Sequence, residues 1–185
     1  MSSSAIQTLD LEKTAEQFGK MLKQTDKRVI VCAGTGCIAN GSLKVYDAFL
    51  KEIEQEGLKV VVQLKEEEEQ EGTYVSKSGC QGFCQMGPLV WVEPAGVLYV
   101  KVTPTDVPDI VGATLKHGVI LEHLLYTEPA SGARAKNAEE IHFYQRQSRT
   151  VLKECGHIDP EDIREYISHG GYFAARRVFT EMTPE

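Results

Sequence analysis

Two short cysteine pairs constrain this chain more than any other feature. The first lies in RVIVCAGTGCIANGS, where Cys32 and Cys37 are spaced C-x4-C. The second lies in SGCQGFCQMGP, where Cys80 and Cys84 are spaced C-x3-C, with 42 residues between the pairs. Glycine surrounds both (Gly34, Gly36, Gly79, Gly82, Gly87), so backbone can approach sulfur with no Cβ in the way. Any fold that suits the pattern must bring two loops together. Four thiolates gathered there repel one another unless a metal compensates them.

The apolar pattern supplies such a fold. Leu11, Ala15, Phe18, Met21 and Leu22 recur at helical spacing behind Asp10, which predicts a helix over 10–24. The β-branched run 28–33 predicts a buried strand. Ser42 as N-cap, one face of Leu43, Tyr46, Phe49, Leu50 and Ile53, and Gly57 beyond the end predict a second helix. A second strand over 58–64 then implies a right-handed parallel crossover. The acidic stretch KEEEEQEGTY (65–74) reads as a solvated loop kept extended by self-repulsion. PLVWVEPAGVLYVKV reads as a hairpin, strands 89–93 and 97–102 around Pro94-Ala95-Gly96, with Trp91 facing Tyr99 across it. A last helix opens near Asp106, capped by Thr105, with Ile110, Val111 and Leu115 inward. The set is α/β, a βαββα sandwich.

Composition changes at TEPASGARAKNAEE (127–140), which lacks large apolar side chains and predicts a linker. Beyond it lies a helical piece, 141–185. Asp159 with Pro160 at the first helical position opens one helix through Ser168, and Gly170-Gly171 separates it from another at 172–181. This piece is too small to carry a core of its own. The expected divisions are therefore an N-terminal helix (1–27), the cysteine-bearing domain (28–126), the linker (127–140) and the helical extension (141–185).

What do the cysteines hold? Gly34, Gly36 and Ala39 also fit the dinucleotide fingerprint G-x-G-x-x-A. That reading expects an acidic residue at the end of the next strand, where Gln63 and Leu64 stand instead. A redox dithiol expects C-x-x-C, which is absent. Buried structural cysteines without metal do not account for two glycine-flanked pairs. A four-cysteine zinc site stays open as an alternative, a zinc-stabilised interaction domain with no redox role, because the spacings lie close to the zinc range. A binuclear iron–sulfur cluster is wider than one zinc, and the longer spacings suit it better.

A net charge of −7 argues against nucleic acid and anionic membrane surfaces. No apolar run approaches the roughly 20 residues of a membrane span. The start, MSSSAIQTLDLEK, has neither the basic end nor the apolar core of a signal peptide, so the expected location is cytoplasmic. There, cysteines serve more often as ligands or catalysts than in disulfides, and five is an odd number.

CAGTGCIANGS together with SGCQGFCQMGPLVWVEP closely resembles the thioredoxin-like 2Fe–2S ferredoxin domain, over roughly residues 28–125. The resemblance implies that Cys32, Cys37, Cys80 and Cys84 ligate one 2Fe–2S cluster. The tail VLKECGHIDPEDIREYISHGGYFAARRVFTEMTPE resembles the opening of the flavin-binding, NADH-oxidising subunit of respiratory complex I and its relatives. That order of parts resembles the diaphorase (beta) subunit of NAD-linked and electron-bifurcating iron hydrogenases and related formate dehydrogenases. It implies an electron-transfer role beside flavin and iron–sulfur subunits, with FMN and NAD bound in a downstream part. Here TEMTPE ends the chain before any such glycine-rich loop, and a truncated piece of a longer polypeptide is expected, the alternative being that the remainder belongs to another polypeptide. No turnover of NADH is expected from the chain alone.

Cys155 lies outside both pairs and reads as an ordinary buried cysteine. The five histidines show no ligand spacing, and no Ser/His/Asp set or carboxylate pair supports catalysis.

Overall fold

The computed structural model of the chain describes residues 9–64 and 72–183. Most of the acidic stretch expected to be an extended loop, residues 65–71, lies outside the described residues. Helix α1 (Leu11–Gln24) begins where the pattern places it, with the Asp10 side chain accepting from Lys13 N–H at 2.9 Å. Strand β1 (Lys27–Cys32) leads through a short helix α2 (Thr35–Ala39) into α3 (Ser42–Gln55). Strand β2 (Val60–Val61) is shorter than the apolar run around it, and β3 (Thr73–Ser78) follows. β4 (Val90–Glu93) and β5 (Val97–Tyr99) form the hairpin, and a turn of α-helix α4 (Val107–Asp109) continues as a π-helix (Ile110–Lys116).

These strands form one sheet in the order β2-β3-β1-β4-β5. β1 runs parallel to β3 and antiparallel to β4. Because side chains alternate across a strand, β1 serves two layers. Val29 and Val31 face a core with Phe49 and Ile53 of α3 and Ile110 and Val111 of the π-helix. Arg28 and Cys32 face the other side, where α1 lays Phe18 and Met21 against Tyr74. The α/β expectation holds. The strand inventory does not, for β3 is an interior strand, between β2 and β1, that begins inside the stretch read as loop. Thr73-Tyr74-Val75 is a short β-branched and aromatic signal, hidden by the acidic run that precedes it.

Two further corrections concern register. Helix α3 buries Ser42, Val45, Phe49 and Ile53, while Leu43 is exposed. Its inward stripe is thus turned by one residue, about 100°, at the N-terminus from the predicted one, and Gly41, not Ser42, stands at the cap position. In the hairpin Val92 pairs with Val97 and Trp91 with Leu98. The connection is therefore four residues, Glu93 to Gly96, and not three. A slip of one residue exchanges the two faces, so Tyr99 faces the α3 core and not Trp91. Its hydroxyl bonds Thr114 Oγ1 at 2.7 Å and accepts Leu121 N–H at 3.0 Å.

Residues 127–140 are not slack chain. β6 (Tyr126–Thr127) and β7 (Arg134–Ala135) form a ribbon, and Leu98 N–H donates to the Lys136 carbonyl at 2.9 Å. Ala135 and Ile141 are buried in the same cluster as Cys32 and Cys37. Small side chains allow this close packing, which composition alone reads as a linker. After α5 (His142–Gln145), α6 (Ile163–Ser168) starts later than predicted, capped by Asp162 and not Asp159. Asp159 instead closes a turn by accepting Glu161 N–H. Helix α7 (Phe173–Glu181) follows.

The tail is fastened to the sheet. The Glu165 carboxylate accepts from Arg28 Nη1 at 2.7 Å and Nη2 at 3.1 Å, and from Asp159 N–H at 2.8 Å. Arg28 also donates to Ser76 Oγ on β3 and lies 5.0 Å over the Tyr74 ring. Among the described residues no helix is long and apolar enough to cross a membrane.

Candidate metal centre

Both cysteine loops leave the same edge of the sheet. β1 and β3 are parallel neighbours, and Cys32 at the end of one is in register with Ser78 at the end of the other. The loop after β1 carries Cys37 on α2. The loop after β3 carries Cys80, and a 3-10 turn (Cys84–Met86) carries Cys84. Loops beyond the carboxyl ends of parallel strands are the usual place for a site in such sheets.

The two loops lie in close contact, and glycine makes that possible. A Cβ on Gly34 would stand 2.8 Å from Cys80 Cβ and 2.9 Å from its Cα. One on Gly36 would stand 3.0 Å from Cys84 Cβ, and one on Gly87 2.6 Å from Cys37 Sγ. The glycines around the pairs thus let the two cysteine loops pack directly against each other. Cys32 and Cys37 are buried, Cys80 and Cys84 exposed.

Within each pair the thiols touch. Cys80 Sγ and Cys84 Sγ are 3.8 Å apart. Cys32 and Cys37 share a hydrogen bond that holds Cys32 down to about 6, against the effect of burial and with help from the Gln81 and Gly34 N–H groups. The same bond, together with burial, pushes Cys37 up. Cys84 is raised by its bond to Cys80. Gly82 N–H donates to Cys80 Sγ at 3.3 Å. Each pair therefore holds protons that metal loading must expel.

Among the described residues no group of three or more His, Cys, Asp or Glu side chains is arranged to hold a single metal ion. The thiols stand as two pairs in contact across glycine. Two pairs suit two metal atoms with two thiolates each, the requirement of a binuclear cluster, better than one closed tetrahedral ion. N–H donors directed at the sulfurs complete the fit.

A family model of thioredoxin-like [2Fe-2S] ferredoxins matches residues 15–115, more than half of the chain. The chain belongs to that family. A 2Fe-2S ferredoxin from Aquifex aeolicus is 34% identical over 92 residues, 50% of this chain and 74% of its own length. One from Clostridium pasteurianum is 31% identical over 88 residues, 48% and 76% of the two chains. The crystal structure of the wild-type thioredoxin-like [2Fe-2S] ferredoxin from Aquifex aeolicus is 34% identical and covers 55% of this chain and 97% of that one, with a TM-score of 0.45. The fold is that of a thioredoxin-like ferredoxin, the cofactor is a 2Fe–2S cluster, and the function is electron transfer.

The ferredoxin match stops at residue 115, yet residues beyond it reach the cysteine loops. Phe83, between Cys80 and Cys84, stacks on Phe143 with ring centroids 4.7 Å apart and meets Tyr126 and Tyr144 edge-on. Arg149 Nη2 donates to the Gln81 carbonyl at 2.6 Å. A cavity of about 550 Å³ between ferredoxin domain and tail is lined by Gln81, Trp91, Tyr144, Arg149, Cys155 and His157. Cys155 is half-buried, and its sulfur would be 3.9 Å from a Cβ on Gly79. Apart from Cys155, none of these tail residues stood out in the sequence, because aromatic and basic side chains in a short helical piece have no pattern that points to a distant loop.

Proposed function

We propose that Cys32, Cys37, Cys80 and Cys84 are the four ligands, and that the chain is the one-electron module of an NADH-linked oxidoreductase related to the hydrogenases and formate dehydrogenases named above. Its partners are that enzyme's flavin and iron–sulfur subunits, and its setting is the cytoplasm. What supports this reading is the tail. The segment that resembles the opening of a flavin-binding subunit is bonded to the ferredoxin sheet through the Arg28–Glu165 pair. In this reading the cluster-bearing domain and the segment that resembles the flavin-subunit opening are neighbours.

The bound cluster supplies one-electron chemistry, whereas NADH yields two electrons together, which a flavin can separate. The chain's own residues set the conditions for that exchange. Cys32 and Cys37 hold the buried side, packed with Leu89, Leu98 and Val100, which exclude water. Cys80 and Cys84 hold the exposed side, where a partner can approach. The N–H groups of Gly34, Gln81 and Gly82 donate to sulfur and offset negative charge.

Four thiolates with no histidine among them favour a low potential; plant-type clusters of that kind lie near about −400 mV. A redox titration followed by electron paramagnetic resonance tests the reading. The expected midpoint lies a few hundred millivolts below zero, in reach of NADH-derived electrons. A midpoint above zero contradicts it.

A further inference from the structure

We propose that Arg149 is a positioning residue for the cluster, raising its potential through the Gln81–Gly82 peptide. The proposal rests on the ligand assignment above. One peptide group joins two contacts. Its carbonyl, on Gln81, accepts from Arg149 Nη2 at 2.6 Å, and its N–H, on Gly82, donates to Cys80 Sγ at 3.3 Å. A cation at the oxygen polarises the peptide and makes the N–H at its other end a stronger donor. The Gln81 N–H, one peptide earlier, donates to Cys32. The short segment that Arg149 grips therefore serves a sulfur of each pair.

The guanidinium is itself held in place. It lies over the Tyr144 ring with its carbon 5.3 Å from the centroid, and Gln147 Oε1 is 3.4 Å from both Nε and Nη2. Gly82 has φ +88, and a Cβ there would collide with Arg149 Nη2. Glycine thus serves both the turn and the approach of the cation. Arg149 stands outside the stretch matched to the ferredoxin family, so the tail supplies a control that the ferredoxin domain alone lacks.

The sign follows from charge. Reduction adds an electron to a thiolate-ligated centre, so a fixed cation and stronger N–H donors stabilise the reduced form more than the oxidised one. Removing the cation lowers the potential. The test uses the full chain with Arg149→Gln and Arg149→Lys beside the unsubstituted protein, each assayed for iron and titrated by electron paramagnetic resonance. Arg149→Gln is expected to keep its iron and to lose about tenfold in the equilibrium constant for reduction, about 59 mV for one electron. Arg149→Lys, which keeps the charge without the planar fork, is expected to recover part of that shift. If Arg149→Gln does not retain iron, the lysine variant decides by the same sign. Unchanged midpoints in iron-replete variants would overturn the role of Arg149 alone. A protein without iron before any substitution would overturn the ligand assignment, and this role with it.

Discussion

Replacing Glu165 by alanine is expected to destabilise the chain by about 3–5 kcal/mol, because it leaves the Arg28 guanidinium charged and unpaired in the interior. Arg28 is 6% exposed and Glu165 1%. The carboxylate accepts from both ends of the guanidinium fork and from Asp159 N–H, so three hydrogen bonds are lost together. At this chain length such a loss lowers Tm by on the order of 10 °C. Thermal unfolding by circular dichroism measures it. The Arg176–Glu12 pair is the comparison. It too joins the tail to the body through two hydrogen bonds of 2.6 Å, but both side chains lie in solvent. Glu12→Ala should leave Tm unchanged, since water and side-chain entropy offset an exposed pair. Equal effects of the two substitutions would show that the buried pair does not anchor the tail.

The second large effect concerns the loops themselves. Gly34→Ala places a methyl group 2.8 Å from Cys80 Cβ and 2.9 Å from Cys80 Cα. Because the opposing atoms belong to or adjoin the backbone, no side-chain rotation relieves the contact. Overpacking of this kind costs about 1–3 kcal/mol, and here the strain is relieved by separating the two cysteine loops. The expected result is a folded protein that has lost most of its cluster absorbance. Gly112→Ala is the control. It stands in the π-helix with nothing within 4 Å of an added Cβ, so its absorbance should match the parent and its stability should be equal or slightly higher. Full absorbance in Gly34→Ala would show that the loops are less closely apposed than their glycines imply.

The site was legible because its signals are chemical and local. Two cysteine pairs among glycines specify close approach before any strand is assigned. The fold class followed from Val29, Val31, Val90 and Val92, whose pattern survives small errors of boundary. What the sequence hid depends on contacts between distant segments. Tyr74 and Val75 belong to an interior strand of the sheet, but strand pairing is decided by burial on both faces, and KEEEEQEG masks the onset of that burial. Tyr99 changed sides because one extra residue in a hairpin turn reverses every side chain beyond it. The role of Arg149 had no local signal, since its partner is a backbone carbonyl 68 positions away. Ala135 packs beside the cysteines from a stretch whose composition reads as linker, because small residues packed closely and small residues in open chain look alike in one dimension.

The central claim is that four named thiols hold a binuclear cluster, and the most direct measurement is iron and acid-labile sulfide content in anaerobically prepared protein, compared with Cys155→Ser. The account predicts about two iron and two sulfide per chain, retained in Cys155→Ser because that thiol stands beside the loop at Gly79 and not within either pair. One zinc and no iron, or loss of iron on replacing Cys155, would contradict it.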